Sequence, residues 1–232
     1  MGKKRTVVGV ALVGLLGVLS VGCVAEVEPT ESEELPAMTP VQFISDDRYL
    51  TDATIAKAAP TTNYGASGSC VADAGSTQRA CFIRWDLSSR IPPTATVLAA
   101  YIRFEVFNQS AAIFKLDQVY GTWDELPRTT APAHSGITWN SRGSAGPWKT
   151  PGARNAADRA FAPFAQFKGT LGVHEIQILG EGLKMIQRWV WVPASNAGIV
   201  IDNINATDGI EIRTKEATTG MHPQIHIIYQ MP

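Results

Sequence analysis

The sequence predicts one all-β domain, a sandwich or barrel with a single short helix, standing behind a signal peptide and a solvated tether. Three observations predict it. Short segments alternate apolar and polar residues with period two, the mark of strands with one buried face. Gly, Pro, Asn and Ser separate nearly every pair of such segments, as in sandwiches and barrels. The first 40 residues follow a different pattern altogether.

Those residues come first in the chain. Lys3, Lys4 and Arg5 precede an apolar run from Val7 to Val21, which is a secretory signal pattern and is shorter than the roughly 20 residues of a membrane span. The run closes on Cys23 after Ser20-Val21-Gly22, so residues 1–22 resemble a lipoprotein signal with Cys23 as the lipidated first residue. Ser20 stands where that motif prefers Leu, and ordinary cleavage after Ala25 is the alternative. The chain has three cysteines, at 23, 70 and 81. Lipid on Cys23 leaves Cys70 and Cys81 to pair in an oxidising compartment. Residues 23–40 hold five Glu, no basic residue and few large apolar ones, and read as an extended tether.

The domain is residues 41–232. Setting aside the three signal cations and the five tether glutamates moves the formal charge from −1 for the chain to +1 for the domain, which gives no electrostatic reason to expect nucleic acid. In order, the strand segments are "RYLTDATIA", "SCVAD", "ACFIRWDL", "VLAAYIRFEVF", "AIFKLDQVY", "GVHEIQIL", "AGIVIDN", "GIEIRT" and "QIHIIYQ". "SCVAD" and "ACFIRWDL" flank "AGSTQR" as a hairpin whose centre lies between Gly75 and Ser76. A symmetric register there puts Cys70 opposite Cys81, within disulfide reach. In "FIRWDLSSRIPPTATVLAAYIRFEV" the first strand turns Ile83, Trp85 and Leu87 one way and Arg84 and Asp86 the other. The second turns Leu98, Ala100, Ile102, Phe104 and Val106 to one face. Leu183, Ile186, Trp189 and Val190 fall at helical spacing, with Pro193 beyond, and predict a short capping helix. Residues 148–167 read as a long loop.

Catalytic signatures are lacking. His222 and His226 lie four apart on a strand, about 13 Å, too far to share a metal. "GASGS" misses a nucleophile elbow by one residue. Asp86, Asp124, Glu125 and Glu216 are carboxylates that no spacing pairs for glycoside hydrolysis. The metal question is open: calcium is compatible with Asp46-Asp47 or "DNINATDG", neither of which has a ligand register. The binding candidates are clearer. Trp123, Trp139, Trp148, Trp189 and Trp191 fall in or beside loops and strand ends, where an indole can stack on a sugar ring. Arg84 and Arg213 sit mid-strand, where a concave face would turn their donors toward a carboxylate or hydroxyls.

"DATIAKAAPTTNYGASGS", the run Arg84 to Pro93, "VYGTWDE", "ITWNSR", "WVPASNAGIVI" and "EIRTKEA…HPQIHIIY" come in the order found in DNRLRE domains, and residues 45–230 resemble that family, which overlaps carbohydrate-binding module family 96. The resemblance implies a jelly-roll-like β-sandwich that is extracellular and recognises polysaccharide, acidic polysaccharides included; the missing catalytic signatures make binding without cleavage the expected activity. It marks Tyr64, within Asn63-Tyr64-Gly65, as a further binding candidate beside Arg84, Arg213, Trp123 and Trp139, with Trp139 as the stacking residue. The expected partners are an extracellular polysaccharide and, through the lipid anchor alone, a membrane. The alternatives are a cell-surface structural or adhesion domain that binds no sugar and, more distantly, a polysaccharide-active enzyme. The gap between Trp123 and Trp139 and the 148–167 loop are longer than the family pattern, and Cys70 and Cys81 stand outside it.

Overall fold

A computed structural model of the chain describes residues 39–130 and 133–232. The signal segment, Cys23 and nearly all of the tether lie outside the described residues. What is described is a β-sandwich. Its strands are β1 (Val41–Ile44), β2 (Leu50–Ala56), β3 (Ser69–Ala72), β4 (Arg79–Trp85), β5 (Thr96–Asn108), β6 (Ile113–Gln118), β7 (Ala165–Lys168), β8 (Gly172–Ile178), β9 (Ile199–Asp202), β10 (Ile210–Arg213) and β11 (Gln224–Gln230). The first sheet runs β1-β11-β5-β10-β3, with β8 also paired to β5, and the second runs β2-β4-β9-β6-β7. Every strand pair is antiparallel.

From β1 to β6, consecutive strands alternate between the sheets. The crossing from β4 to β5 therefore joins opposite sheets. Pro92 and Pro93 cannot donate to a ladder, and tight turns closing on Leu87 and Pro92 carry the chain across. The 70–81 segment behaves likewise, and here the expected hairpin needs correction. The only pair across its turn is Asp73↔Arg79, centred on Ser76. Cys70 lies opposite Ile212 in the first sheet, while Cys81 lies opposite Thr54 and Ile201 in the second. The Cys70–Cys81 disulfide is present, with Cα atoms 5.2 Å apart, but it staples the two sheets together where they close at one corner. Val71 N–H donating to Thr54 Oγ1 at 2.8 Å joins the sheets at the same corner.

Ile83, Trp85, Phe114, Leu116, Ile199 and Ile201 from the second sheet meet Ile102, Phe104, Val106, Ile212, Ile225 and Ile227 from the first. The helix α1 (Gly180–Trp191) adds Met185, Ile186, Trp189 and Val190 to this core. Gln187 fixes it beside the start of β5, accepting from Val97 N–H at 2.7 Å and donating to Ala95 O at 3.0 Å. One side chain departs from the expected faces. Ala99 pairs with Ile228 and Val97 with Tyr229, so Leu98 is the extra residue of a bulge. It turns outward, and Val97 takes the core position.

The second sheet is covered on both faces. Ala53, Ile55, Ala80, Phe82 and Val200 on its outer side pack under Val119, Trp123, Ile137, Trp139, Trp148, Ala153 and Ala197, which come mainly from the long connection between β6 and β7. These loops thus form a third layer with a core of its own.

Candidate functional site

This third layer decides what the candidate residues can do. Trp123 is 2% exposed and Trp139 is 6% exposed, both inside the outer core. The Trp123 indole N–H donates to Ala197 O at 2.9 Å. The Trp139 ring lies against Gly152, where φ is +78° and a Cβ would stand 2.5 Å from the indole. Neither ring offers a face to a sugar, so the stacking role expected of Trp139 does not hold. Trp85, Trp148 and Trp189 are buried as well, and Trp191, at the end of α1, is 56% exposed.

Arg84 leaves β4 on the outer face, one step beyond Phe82. Gly198, with φ +78°, lets the 197–198 backbone approach so closely that a Cβ there would meet Arg84 Cβ at 2.7 Å. The Arg84 guanidinium lies 5.1 Å over the Trp123 ring. Burial pulls its pKa down, opposed at longer range by Asp124, Asp86 and Glu125. Among the described residues no carboxylate forms an ion pair with it. It lines a hollow of about 400 Å³ together with Arg48, Tyr49, Thr51, Asp86 and Asn196. Arg48 is held by Asp46 at 2.7 Å, and Arg90 stacks 4.4 Å over Tyr49. Asp86 accepts from the backbone N–H and hydroxyl of Ser88, and these bonds hold its pKa low. A desolvated cation held by stacking and free of an ion-pair partner is equipped to receive an anionic or hydroxyl-bearing ligand.

Arg213 is elsewhere. It ends β10 on the outer face of the first sheet, its Cζ 4.0 Å over Phe107. Arg84 and Arg213 therefore stand on opposite sides of the molecule and do not share a ligand. Tyr64, half-buried, lines a smaller hollow of about 210 Å³ with Thr54, Ser69, Arg79 and Glu211.

The motif segments that carry the family resemblance converge instead on a polar knot, and sequence reading did not pair its members. Glu125 accepts from Asp52 N–H at 2.9 Å and pairs with the Lys215 ammonium. Lys215 also donates to Leu50 O at 3.1 Å, and its backbone N–H to Asp52 at 3.1 Å. Asn63 donates to the backbone oxygens of Glu125 and Ile137 at 2.6 and 2.8 Å. Gly65 is pressed against the Glu125 backbone, where any Cβ would clash. The carboxylates of Asp52, Glu125 and Glu216 lie within 4.8 Å of one another. Burial pushes Asp52 up to about 8, with Glu216 and Glu125 adding to it, and burial likewise raises Glu216. Three such carboxylates could ligate a cation, but Lys215 already supplies a positive charge among them. In the acidic loops named for calcium, Asp46, Asp47 and Asp202 are engaged in ion pairs. Asp46 holds Arg48, Asp47 holds His222 at 2.8 Å, Asp202 holds Arg154 and Arg159, and Asn203 caps the 205–206 turn.

Arg154 and Arg159 went unmarked in the sequence because their loop has no period. The signal available was two arginines and Phe161 in an otherwise small-residue stretch. No protein-family model matches the chain, and no curated protein is similar to it.

Proposed function

We propose that residues 41–232 form a non-catalytic module that binds an extracellular polysaccharide, acidic polysaccharides included. A lipoprotein-type signal exports it, and the segment 23–40 spaces it from a lipidated Cys23. The observation that carries this reading is Arg84: a guanidinium stacked on Trp123, drawn out of water, without an ion-pair partner among the described residues and at the wall of an open hollow. The order of the motifs shared with DNRLRE domains supports the ligand class.

Affinity electrophoresis through neutral and acidic polysaccharides tests it. An acidic polysaccharide should retard the protein, and added salt should weaken the effect. Arg84→Ala should cost about 1.5–3 kcal/mol, the worth of hydrogen bonds to a charged group. If no polysaccharide retards the protein, the second reading takes over, a cell-surface structural domain. The interior placement of five of the six tryptophans favours that reading, since it removes the aromatic platforms on which many sugar sites depend.

A further inference from the structure

A second hollow lies on the outer face of the second sheet, at the end away from Arg84. Lys115 pairs with Asp202 and Asp117 with Val200 across β6 and β9. With period two, Lys115, Asp117 and Asp202 share the side that Val200 takes. The covering loop brings two arginines to them. Arg159, whose side chain is 2% exposed, reaches Asp202 Oδ2 at 2.7 Å and stands 3.9 Å from Asp117. Arg154 reaches the same Asp202 oxygen at 3.0 Å. These residues line a hollow of about 420 Å³, walled by Phe161, Ile204 and Asn205. Phe161 is 53% exposed and lies 5.2 Å from the Arg159 guanidinium.

The charges and hydrogen bonds do not balance. Three cations face two carboxylates, leaving the group at +1 with both ionised. Arg154 and Arg159 converge on one oxygen of Asp202, while Arg154 Nε and Nη2, Arg159 Nε and Asp117 Oδ1 are buried without a partner among the described residues. Buried donors left unmet are costly, and a cluster of them beside an open hollow points to a ligand that accepts hydrogen bonds.

We propose that the Lys115–Arg154–Arg159 hollow binds a carboxylate or sulfate group, with Phe161 as an apolar wall for the ring that bears it. That a saccharide carries the anion rests on the polysaccharide reading; the anion site itself stands on the arginines. Asp117 acts as a proton gate. Burial raises its pKa to about 6, with Asp202 on β9 reinforcing the rise and Arg159 and Arg154 on the loop and Lys115 on its own strand opposing it. Protonating Asp117 takes the hollow from +1 to +2 and turns a buried acceptor that has no donor among the described residues into a donor. Anion affinity therefore rises as pH falls. If only protonated Asp117 admits the anion, affinity at pH 5.5 exceeds that at pH 7.5 by up to about 25-fold.

The test is a titration of the full-length protein with sodium sulfate, sodium glucuronate and glucose at pH 5.5 and 7.5, followed through backbone amide shifts. Sulfate is fully ionised at both values, so any pH dependence belongs to the protein. Saturable shifts on β6 and β9 with sulfate and glucuronate, stronger at pH 5.5 and absent with glucose, are the expected result. Lys115→Ala, an exposed position, should weaken them several-fold, and Asp117→Asn should bind alike at both pH values. The site is overturned if no saturable shift occurs on these strands, or if folded Lys115→Ala and Asp117→Asn proteins both behave as the wild type. Anion binding here without retardation by any polysaccharide would sink the polysaccharide reading and leave this site standing. Arg84-dependent retardation without anion shifts here would do the reverse.

Discussion

Asp52 is the residue through which pH should act most strongly on stability. Its side chain is almost wholly buried, and Oδ1 has no hydrogen-bond partner among the described residues. Burial keeps it protonated up to about pH 8, whereas in the unfolded chain it ionises near its ordinary 3.8. Between those values the unfolded state binds fewer protons, so this contribution is complete below pH 4 and is lost as pH rises toward 8. Asp117 acts in the same sense up to about 6. Asp86 and Asp124, lowered in the fold, act oppositely and lose their contribution as pH falls through the acid range. The thermal midpoint should therefore climb from pH 8.5 to pH 5, and Asp52→Asn should flatten that climb and raise the midpoint at pH 8.5. A wild-type midpoint that is constant over this range, measured by circular dichroism, would contradict the buried protonated state. At this scale the sequence was legible for Arg84, whose outward direction follows from period two alone. It was not legible for Trp123 and Trp139. A tryptophan in a loop is exposed or buried according to what the loop lies against, and here that contact spans the distance from β2 and β4 to residue 148.

Among elements, nine strands and the helix were readable, because each strand is a short apolar or alternating run bounded by turn residues and the helix has apolar residues at helical spacing. The two that were not, β1 and β7, are four-residue strands at sheet edges, with mostly exposed side chains and no strong alternation. The β3–β4 connection reads as a hairpin in the sequence because two alternating strands with a turn between them look the same whether they pair or cross to opposite sheets. Only the partners of each strand distinguish the two, and those of the cysteines lie far off in the chain, Thr54 27 residues from Cys81 and Ile212 142 residues from Cys70. The crossing gives the disulfide more to hold than a hairpin would. Its half-cystines are separated by 11 positions, and closing so short a loop stabilises by about 3 kcal/mol in the chain-entropy model. Reduction under native conditions should be slow, since both cysteines are inaccessible. Urea unfolding of reduced against oxidised protein should show a loss of unfolding free energy of that size and a lower midpoint, and coincident curves would refute the staple.

At the scale of the whole molecule, the sandwich followed from strand patterning, but the third layer did not, because irregular chain carries no period. That layer makes the two outer faces unlike each other. One carries Arg213 on an open sheet, and the other is roofed, with arginine-lined hollows at its two ends. It also sets the fluorescence. Iodide should reach little of the native tryptophan emission, and Trp191→Phe should remove most of what it does reach. Quenching that survives this substitution would mean the roof opens in solution. The disulfide has one more consequence. Gly75, Ser76 and Thr77 form an exposed tip between the half-cystines. A peptidase cutting there would sever the backbone and release nothing, because the pieces stay tied by sulfur and by strands in both sheets. The most accessible turn at that corner is thus one where a nick costs the molecule little, visible only on a reducing gel.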